Sequence, residues 1–423
     1  MEVFAEYNVL LEQVFHLWTQ GSDEVFANNG NVTAAKVREL VDISSLRASG
    51  VFFTGDDLAA KAVESLNPQV GADSFIVDPT CGSGSLLIAA SKKLDIRQSA
   101  SETLEIWGRQ LCGVDIYPQF VQCTKLRLVL EALLRGALPD KPLGELLDLL
   151  VNIQVGNCLD KTEVISRATH FLFNPPYNNS GSAVRYFWAT GKVSNAAIYY
   201  FELSRVLAEG CCVAAILPDV LRSGSRFSAW RSVVSEGLTS AKISIEGRFD
   251  SKTDIDIFVM SGVVTKAGAE GVQWQSFGAG AEPCVGDFFD VSVGAVVPYR
   301  DPHEGANYAY IHPKTLPKWG EVSKIFEKRR FLGRVFQPPF VAVRRTSGPR
   351  DKHRVVPTLV LGRRLVAVEN HLLVLSPKSG DVDCCKRLLQ LFRQESVNGY
   401  LNSRIRCRHL TVSAVSEVPW RTL

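Results

Sequence analysis

The sequence predicts an α/β protein with a doubly wound, mostly parallel sheet of the Rossmann-like kind, followed by a smaller β-rich domain. From Phe75 to about Val264, apolar runs of strand length alternate with amphipathic helical stretches, as in a parallel sheet with helices on both faces. After about Trp274 the long helices give way to turn residues. With 423 residues, of which 46% are hydrophobic and 22% charged, the chain can bury the cores of roughly two or three domains.

The elements follow from the spacing of apolar residues. Helices are predicted at about 7–20 and 33–46. The predicted strands are 74–77, 106–114, 151–155, 169–173, 211–217, 243–245 and 255–264, and the helices between them are 85–94, 120–134 and 199–207. A late helix is predicted at 384–394. We therefore expect an N-terminal helical segment at 1–50, a sheet domain at 51–268 and a C-terminal domain at 269–423.

Composition excludes several classes of protein. No apolar stretch approaches the roughly 18 residues that span a bilayer. The N-terminus carries Glu2 and Glu6 and lacks the basic region of a secretion signal. Ten cysteines without a CxxC pair predict neither a disulfide framework nor a zinc site. The simplest expectation is a metal-free protein of the reducing cytoplasm.

Positive charge is concentrated in one part of the predicted C-terminal domain. Between Lys324 and Arg364 there are twelve Lys and Arg but only two acids, so this window carries +10 whereas the whole chain carries +3. Such a concentration is expected where a protein grips a phosphate backbone, although charge runs are often only a solvated face.

A glycine-rich turn, Asp78-Pro-Thr-Cys-Gly-Ser-Gly84, follows the first predicted strand of the sheet. Its glycines let the backbone approach a ligand closely, and the helix that follows offers unpaired N–H groups. The next strand ends at Asp115, whose carboxylate can accept hydrogen bonds from both hydroxyls of a ribose. A dinucleotide-binding motif has a third glycine at the position of Leu87, and a P-loop ends in Gly-Lys-Ser/Thr. The turn matches neither motif. The turn predicts a nucleoside-containing cofactor.

A later strand ends in Asn174-Pro-Pro-Tyr177. The two prolines stiffen this loop and remove two N–H donors, and Pro175 biases Asn174 toward extended backbone. The Asn174 Oδ1 atom and the Pro175 carbonyl can accept both hydrogens of an exocyclic amino group, while Tyr177 stacks on the planar ring that carries it.

Together the two motifs resemble the S-adenosylmethionine-dependent adenine-N6 DNA methyltransferases of the gamma class, which includes type II modification enzymes and type I modification subunits. The resemblance extends over about 51–264. It implies a catalytic loop of Asn174, Pro175, Pro176 and Tyr177, and a target base that packs between Tyr177 and Phe249. It also implies cofactor contacts from Phe53, Thr54, Asp78, Pro79, Cys81, Gly82, Gly84, Asp115, Ile116, Asn157, Cys158 and Asn174.

The sequence departs from the family pattern at two of these places. Gly55 replaces the proline that usually follows the threonine of the upstream cofactor segment. Asn157 stands where the family often has an acid that contacts the cofactor's adenine amino group, and Asp160 is a candidate substitute. Cys81 is interpreted as a small packing residue rather than a nucleophile.

The resemblance also implies that the C-terminal domain recognises DNA and that the target adenine is flipped out of the stacked duplex. The DNA-binding candidates are Arg329, Arg330, Arg344, Arg345, Thr346, Ser347, Arg350, Lys352 and Arg354. Residues 178–195, which follow the catalytic loop, are interpreted either as a segment that orders on DNA or as a plain surface loop.

The expected function is site-specific methylation of adenine N6 in DNA, as the modification component of a restriction-modification system. The expected partners are double-stranded DNA and a separate restriction endonuclease or specificity subunit. Three alternatives stay open. An Asn-Pro-Pro-Tyr loop also occurs in enzymes that methylate a protein glutamine or an RNA base; cytosine N4 is chemically similar; and the chain could be a non-catalytic DNA-reading subunit. The basic C-terminal domain favours DNA.

Overall fold

The computed structural model describes residues 2–19, 54–180, 185–189, 191–249, 255–268, 271–274, 283–346, 353–405 and 409–420. The predicted helix at 33–46 and the candidates Phe53, Ser347, Arg350 and Lys352 lie outside these residues. Among the helices in the described parts, none combines the length and apolarity that a membrane crossing requires.

The chain divides into two compact units. One comprises Met1–Arg222 and Arg226–Trp274, and the other Ser223–Ser225 and Gln275–Leu423. The division at Trp274 lies close to the predicted boundary at 268.

A seven-stranded sheet forms the centre of the first unit. Its strands are β1 (Ile76–Asp78), β2 (Leu111–Asp115), β3 (Ile153–Val155), β4 (His170–Phe173), β5 (Cys212–Pro218), β6 (Leu238–Arg248) and β7 (Asp256–Val264). They lie in the order β3-β2-β1-β4-β5-β7-β6. Strands β1 to β5 are parallel, and β7 runs antiparallel to both β5 and β6. This confirms the predicted doubly wound, mostly parallel sheet.

Helices cover both faces of this sheet. They are α1 (Glu2–Thr19), α2 (Asp56–Glu64), α3 (Ser85–Ser91), α4 (Ala100–Gln110), α5 (Pro118–Leu134), α6 (Leu143–Asp148), α7 (Thr162–Ile165), α8 (Asn195–Ser204), α9 (Asp219–Ser223) and α10 (Ser228–Glu236). Strand β4 shows how the two cores arise. Leu172 belongs to one buried cluster, whereas Phe171 and Phe173 belong to the other, because successive side chains of a strand point to opposite faces.

The N-terminal helix packs onto the sheet domain. The rings of Phe4 in α1 and Phe120 in α5 meet edge to face, with 4.4 Å between their centroids. The side-chain amide of Asn8 donates to the carbonyl oxygen of Gln119 at 2.9 Å. Helix α1 therefore shares the hydrophobic core of the first unit.

One predicted strand is partly wrong. Residues 106–110 belong to helix α4, and the strand begins only at Leu111. The helical face buries Leu104 and Trp107, and the Trp107 indole donates to the carbonyl oxygen of Asp95 at 3.0 Å. Because the end of the helix and the strand both bury apolar side chains, one apolar run covers the two elements together.

The second unit contains two smaller sheets, as the β-rich expectation implies. Its strands are β8 (Phe289–Val293), β9 (Ala306–Ile311), β10 (Glu321–Val322), β11 (Lys328–Phe331), β12 (Phe340–Arg344), β13 (Pro357–Val360), β14 (Val366–Val368) and β15 (Leu372–Pro377). They form the sheets β10-β13-β12-β15-β8 and β11-β9-β14. The helices are α11 (Val285–Phe288), α12 (Val382–Phe392), α13 (Glu395–Arg404) and α14 (Val412–Ser416), of which α12 covers most of the predicted 384–394.

Candidate active site

The two sequence motifs meet at the carboxyl ends of the neighbouring strands β1 and β4. The strand order reverses at this point: β2 and β3 lie on the far side of β1, and β5 lies on the far side of β4. Open α/β sheets bind ligands at such a switch point. The Thr80 hydroxyl, after β1, donates to the backbone carbonyl of Asn174, after β4, at 3.2 Å. Both motifs line a single cleft of about 260 Å³.

The glycine-rich turn is fixed by its neighbours. The Cys81 N–H donates to the Val114 carbonyl at 3.0 Å, which ties the turn to β2. Gly82 and Gly84 have φ of 52° and 83°, in the left-handed region that favours glycine. A Cβ atom on Gly84 would come within 2.7 Å of Thr124 Cγ2. Gly82 lines the cleft, whereas Gly84 serves the packing of the turn against α5.

Two acidic residues line the cleft at the ends of β1 and β2. The Asp115 carboxylate accepts the N–H of Gly82 through Oδ2 and that of Tyr117 through Oδ1, both at 3.0 Å. Burial raises its pKa to about 6, although these N–H groups oppose the rise. Asp78 is buried, and desolvation, together with the nearby Asp115, raises its pKa to about 8. A carboxylate can accept about four hydrogen bonds, so Asp115 keeps acceptor capacity for a ligand hydroxyl beside the backbone N–H groups.

The next wall of the cleft follows strands β2 and β3. Ile116, 57% exposed, presents an apolar side chain, and Asn157 and Cys158 line the same wall. The Asn157 Oδ1 atom accepts the Leu159 N–H at 3.2 Å, which orients its amide. Asp160, the candidate substitute for Asn157, lies instead in a separate cavity with Lys161 and Arg167. Burial raises the pKa of the Cys81 thiol well above its usual range, so this cysteine is a neutral packing group.

The side chain of Asn174 is held from both ends of its amide. Its Nδ2 donates to the Thr54 hydroxyl at 2.8 Å, and its Oδ1 accepts the Tyr177 hydroxyl at 2.7 Å. Both hydroxyls can donate or accept, so they hold the plane of the amide between them, with Nδ2 facing Thr54 and Oδ1 facing Tyr177. Thr54, Asn174, Pro175 and Pro176 all line the cleft.

Tyr177 and Phe249, expected to pack on the target base, contact each other. Their rings meet at 88° with centroids 5.9 Å apart. The Tyr177 hydroxyl also donates to the Ile216 carbonyl at 3.3 Å, and burial raises the pKa of this phenol well above its usual range. Phe249 is buried, and neither ring lines the cleft. In this arrangement the two rings occupy the space that a base between them would need.

The cleft contains residues that sequence reasoning did not select: Thr80, Ser83, Ser85, Leu86, Tyr117, Phe120, Gly156, Asn178, Asn195 and Tyr199. Several stand next to selected residues, so proximity in sequence could have found them. Asn195 and Tyr199 lie in the first half of helix α8, and Asn195 donates through Nδ2 to Asn178 Oδ1 at 2.6 Å. Only the tertiary fold brings α8 to the cleft.

The DNA-binding candidates lie in the second unit and differ in exposure. Arg329 is buried, donates to the Asp301 carbonyl at 2.7 Å and lies over the Tyr310 ring. Arg330 is exposed on β11. The partly exposed Arg344, Arg345 and Arg354 each donate to a backbone carbonyl of their own unit, and the exposed Thr346 pairs with the His409 imidazole. Arg329 therefore packs in the interior, whereas Arg330 is exposed like Thr346 and donates through Nε to the Gly305 carbonyl at 3.0 Å.

One family model matches the part of the chain that forms most of this cleft. Residues 43–185 match the family of N-6 DNA methylases. The match confirms the resemblance on which the motif assignments rest. The N-6 DNA methylase segment contains the glycine-rich turn, Asp115 and the whole Asn174–Tyr177 loop, whereas Tyr199 and Phe249 lie beyond it. No curated protein sequence matches the chain.

Among solved structures, the chain is similar to a modification subunit of a putative type I restriction enzyme from Vibrio vulnificus, with 17% identity over 56% of this chain and 48% of that one, at a TM-score of 0.39. It is similar to the type IIG restriction endonuclease BpuSI, with 12% identity over 92% of this chain and 61% of that one, at a TM-score of 0.45. It is also similar to the type IIL enzyme MmeI in complex with DNA, with 11% identity over 96% and 66% of the two chains, at a TM-score of 0.46. The chain spans less than two thirds of the first two of these structures.

Proposed function

We propose that the protein transfers a methyl group from S-adenosylmethionine to N6 of an adenine that is flipped out of double-stranded DNA. The observation that carries this proposal is the shared cleft, where the clamped amide of Asn174 lies beside the glycine-rich turn and Asp115. The match of residues 43–185 to the N-6 DNA methylases supports the same chemistry.

The groups in the cleft suit a nucleoside-containing sulfonium cofactor. Asp115 offers carboxylate lone pairs for ribose hydroxyls, Ile116 offers an apolar surface for a base, and Asn157 offers an amide at its edge. The cleft has a volume of about 260 Å³ and is lined by the acids Asp78 and Asp115, so it can hold part of a cationic small molecule. When bound, S-adenosylmethionine would supply an electrophilic methyl group. Among the described residues no cluster of side chains suits a metal ion, and none is needed for direct transfer.

The chain's own contribution is to hold the acceptor nitrogen. Adenine N6 is a weak nucleophile because its lone pair is delocalised into the ring. Oδ1 of Asn174 and the carbonyl of Pro175 would accept the two amino hydrogens and draw the nitrogen toward tetrahedral geometry, so that its lone pair faces the methyl donor. Thr54 and Tyr177 position the Asn174 oxygen in advance, and such prior orientation lowers the barrier.

Entry of the base requires the aromatic pair to open. Tyr177 and Phe249 are in edge-to-face contact, so an adenine can insert between the two rings only after they separate. Extrusion of a base costs about a few kcal/mol, and each base–aromatic contact returns roughly 1–3 kcal/mol. We therefore propose that the pair closes the pocket in the free enzyme and stacks on the target base in the complex.

The second unit is proposed to bind the duplex as a target-recognition domain. Its exposed candidates are Arg330 and Thr346, with Arg344, Arg345 and Arg354 partly exposed. Each phosphate contact releases a counterion, so the logarithm of the DNA-binding constant falls linearly with the logarithm of the salt concentration. Removing one cation, as in Arg330→Gln, is expected to make this slope smaller by about 1. We also propose that the chain is the modification component of a restriction-modification system, which acts with a separate restriction endonuclease or specificity subunit.

The proposal is tested by expressing the protein in cells that lack adenine methylation and sequencing their DNA for modified bases. The expected result is N6-methyladenine at one recurring sequence, and its loss with Asn174→Ala. The variant should still bind S-adenosylmethionine, measured by calorimetry, because Asp115 and the glycine-rich turn remain. Unmodified DNA together with methylated RNA or protein glutamine would contradict the DNA assignment, and N4-methylcytosine would contradict the choice of adenine.

A further inference from the structure

An aromatic cluster lies on residues 185–189 and helix α8, in the part of the chain that follows the catalytic loop. The ring of Phe187 is 62% exposed. It rests edge-on against Trp188, with 4.8 Å between centroids, and against Phe201 of α8, with 5.7 Å. Tyr186 stacks on Trp188 at 4.4 Å, and Trp188 itself is buried. Phe187 is therefore a large apolar side chain held toward solvent on a packed aromatic base.

The segments on either side of this cluster are paired next to the cleft. The Asn195 N–H donates to the Asn178 carbonyl at 2.9 Å, and the Ser180 N–H donates to the Val193 carbonyl at 2.8 Å. Asn178 and Asn195 line the cleft. The aromatic cluster is thus joined to the cleft wall by two paired segments. Phe201 also shares helix α8 with the cleft residue Tyr199, although residues two apart lie on different faces of a helix.

The charge around Phe187 suits a polyanion. Arg185, Lys192 and Arg205 are all exposed, and the Arg205 guanidinium lies over the Phe201 ring at 5.2 Å. In the described residues from 185 to 205, Glu202 is the one acid, and it accepts the Tyr186 hydroxyl at 3.0 Å. An exposed aromatic face with cations around it is the combination that binds unstacked bases and their phosphates.

The buried side of the cluster is not fully satisfied. Trp188 is 6% exposed, yet its indole N–H has no hydrogen-bond partner among the described residues. A buried donor without a partner is unfavourable. An acceptor from a ligand, or a water molecule, would satisfy this donor.

We propose that Phe187 enters the duplex at the position that the target adenine vacates and stacks on the exposed neighbouring bases, while Arg185, Lys192 and Arg205 contact the adjacent phosphates. The inference rests on the proposed function and adds a residue that stabilises the extruded state. Extrusion exposes two base faces inside the duplex, and an aromatic side chain in the gap restores part of the lost stacking. Phe187, which we call the wedge, and the catalytic loop would belong to one folded unit. The base would then leave the stack next to the cleft that receives it.

The test uses the full-length chain and a duplex that contains the sequence found methylated in cells. Single-turnover methylation is measured on the paired duplex and on one whose target adenine faces an abasic site, where extrusion is already favoured. With Phe187→Ala, the rate on the paired duplex should fall roughly 5- to 150-fold, the loss of about one stacking contact. On the abasic duplex it should approach the wild-type rate.

Two control variants separate the wedge from a loss of folding. Phe187→Tyr keeps the aromatic face and should restore the rate. Leu138→Ala removes an apolar side chain of similar exposure, 60%, elsewhere in the first unit, and should change nothing. Cofactor affinity should be unaltered in all three variants.

Wild-type rates for Phe187→Ala on both duplexes would overturn the wedge while leaving the methyltransferase in place, as would an equal loss on both duplexes. A change of oligomeric state in this variant with full activity would show that the aromatic cluster contacts a second protein chain instead. Absence of methylation by the wild-type protein would instead refute the proposed function.

Discussion

Replacement of Thr54 by valine tests whether the clamp on Asn174 contributes to catalysis. The two side chains have nearly the same shape, and Thr54 is buried, so the main change is loss of the oxygen that accepts from Asn174 Nδ2 at 2.8 Å. A hydrogen bond of this kind contributes about 0.5–1.5 kcal/mol net. If that amount holds the amide in its productive orientation, kcat should fall by about 2- to 13-fold.

The assay is steady-state methyl transfer with DNA and S-adenosylmethionine varied separately. A positioning role predicts that kcat falls while the KM for DNA is unchanged. Thr54→Ser, which keeps the hydroxyl, is the matched control and should retain most of the activity. An unchanged kcat in Thr54→Val, or an equal loss in the serine variant, would refute the positioning role of this hydrogen bond.

Three further predictions concern the two acids of the cleft and the packing of the glycine-rich turn. Because burial raises the pKa of Asp115 to about 6, affinity for S-adenosylmethionine should fall by up to about tenfold per pH unit below that value as the carboxylate is protonated; calorimetry should show a weaker and flatter profile for Asp115→Asn, and a flat profile for the wild type would contradict the assignment. Asp78 binds its proton more tightly in the folded chain, with a pKa of about 8, so the stability it contributes is complete below about pH 4 and is lost as the pH rises through 8. In denaturant titrations of the cofactor-free protein, Asp78→Asn should therefore reduce the decrease in the free energy of unfolding over this pH range. An unchanged pH dependence would argue against the buried proton. Gly84→Ala should lower the free energy of unfolding by about 1–3 kcal/mol, since φ is 83° and the new Cβ meets Thr124; Gly71→Ala, where a Cβ meets open space, is the control, and equal stability of the two variants would refute the packing argument.

The sequence was sufficient to predict the parts of the fold that depend on the type and spacing of neighbouring residues. The alternation of strands and helices predicts the layered sheet, and the turn after β1 and the loop after β4 lie at the switch point where their composition suggests a ligand. The order of the strands was not predicted, because pairing such as β1 with β4 joins segments about a hundred residues apart. The end of α4 was assigned to a strand because Trp107 is buried on a helix that leads directly into β2.

The contacts that organise the candidate site were beyond sequence reasoning. Thr54 was selected as a cofactor residue, yet its hydroxyl orients Asn174, from which it is 120 residues distant in the chain. Tyr177 and Phe249 were selected separately as stacking residues, and their mutual contact appears only in the fold. Sequence position likewise could not show that Arg329 is buried whereas its neighbour Arg330 is exposed. Motif chemistry located the residues, and packing determines what each one contacts.

The most direct measurement is transfer of a radiolabelled methyl group from S-adenosylmethionine to purified duplex DNA, followed by digestion to nucleosides and chromatography. Label should appear in N6-methyl-2′-deoxyadenosine, and replacement of Asn174 by alanine should abolish it while Leu138→Ala does not. Label in another nucleoside, or undiminished transfer by the Asn174 variant, would contradict the account of a flipped adenine held by the Asn174 amide and the Pro175 carbonyl.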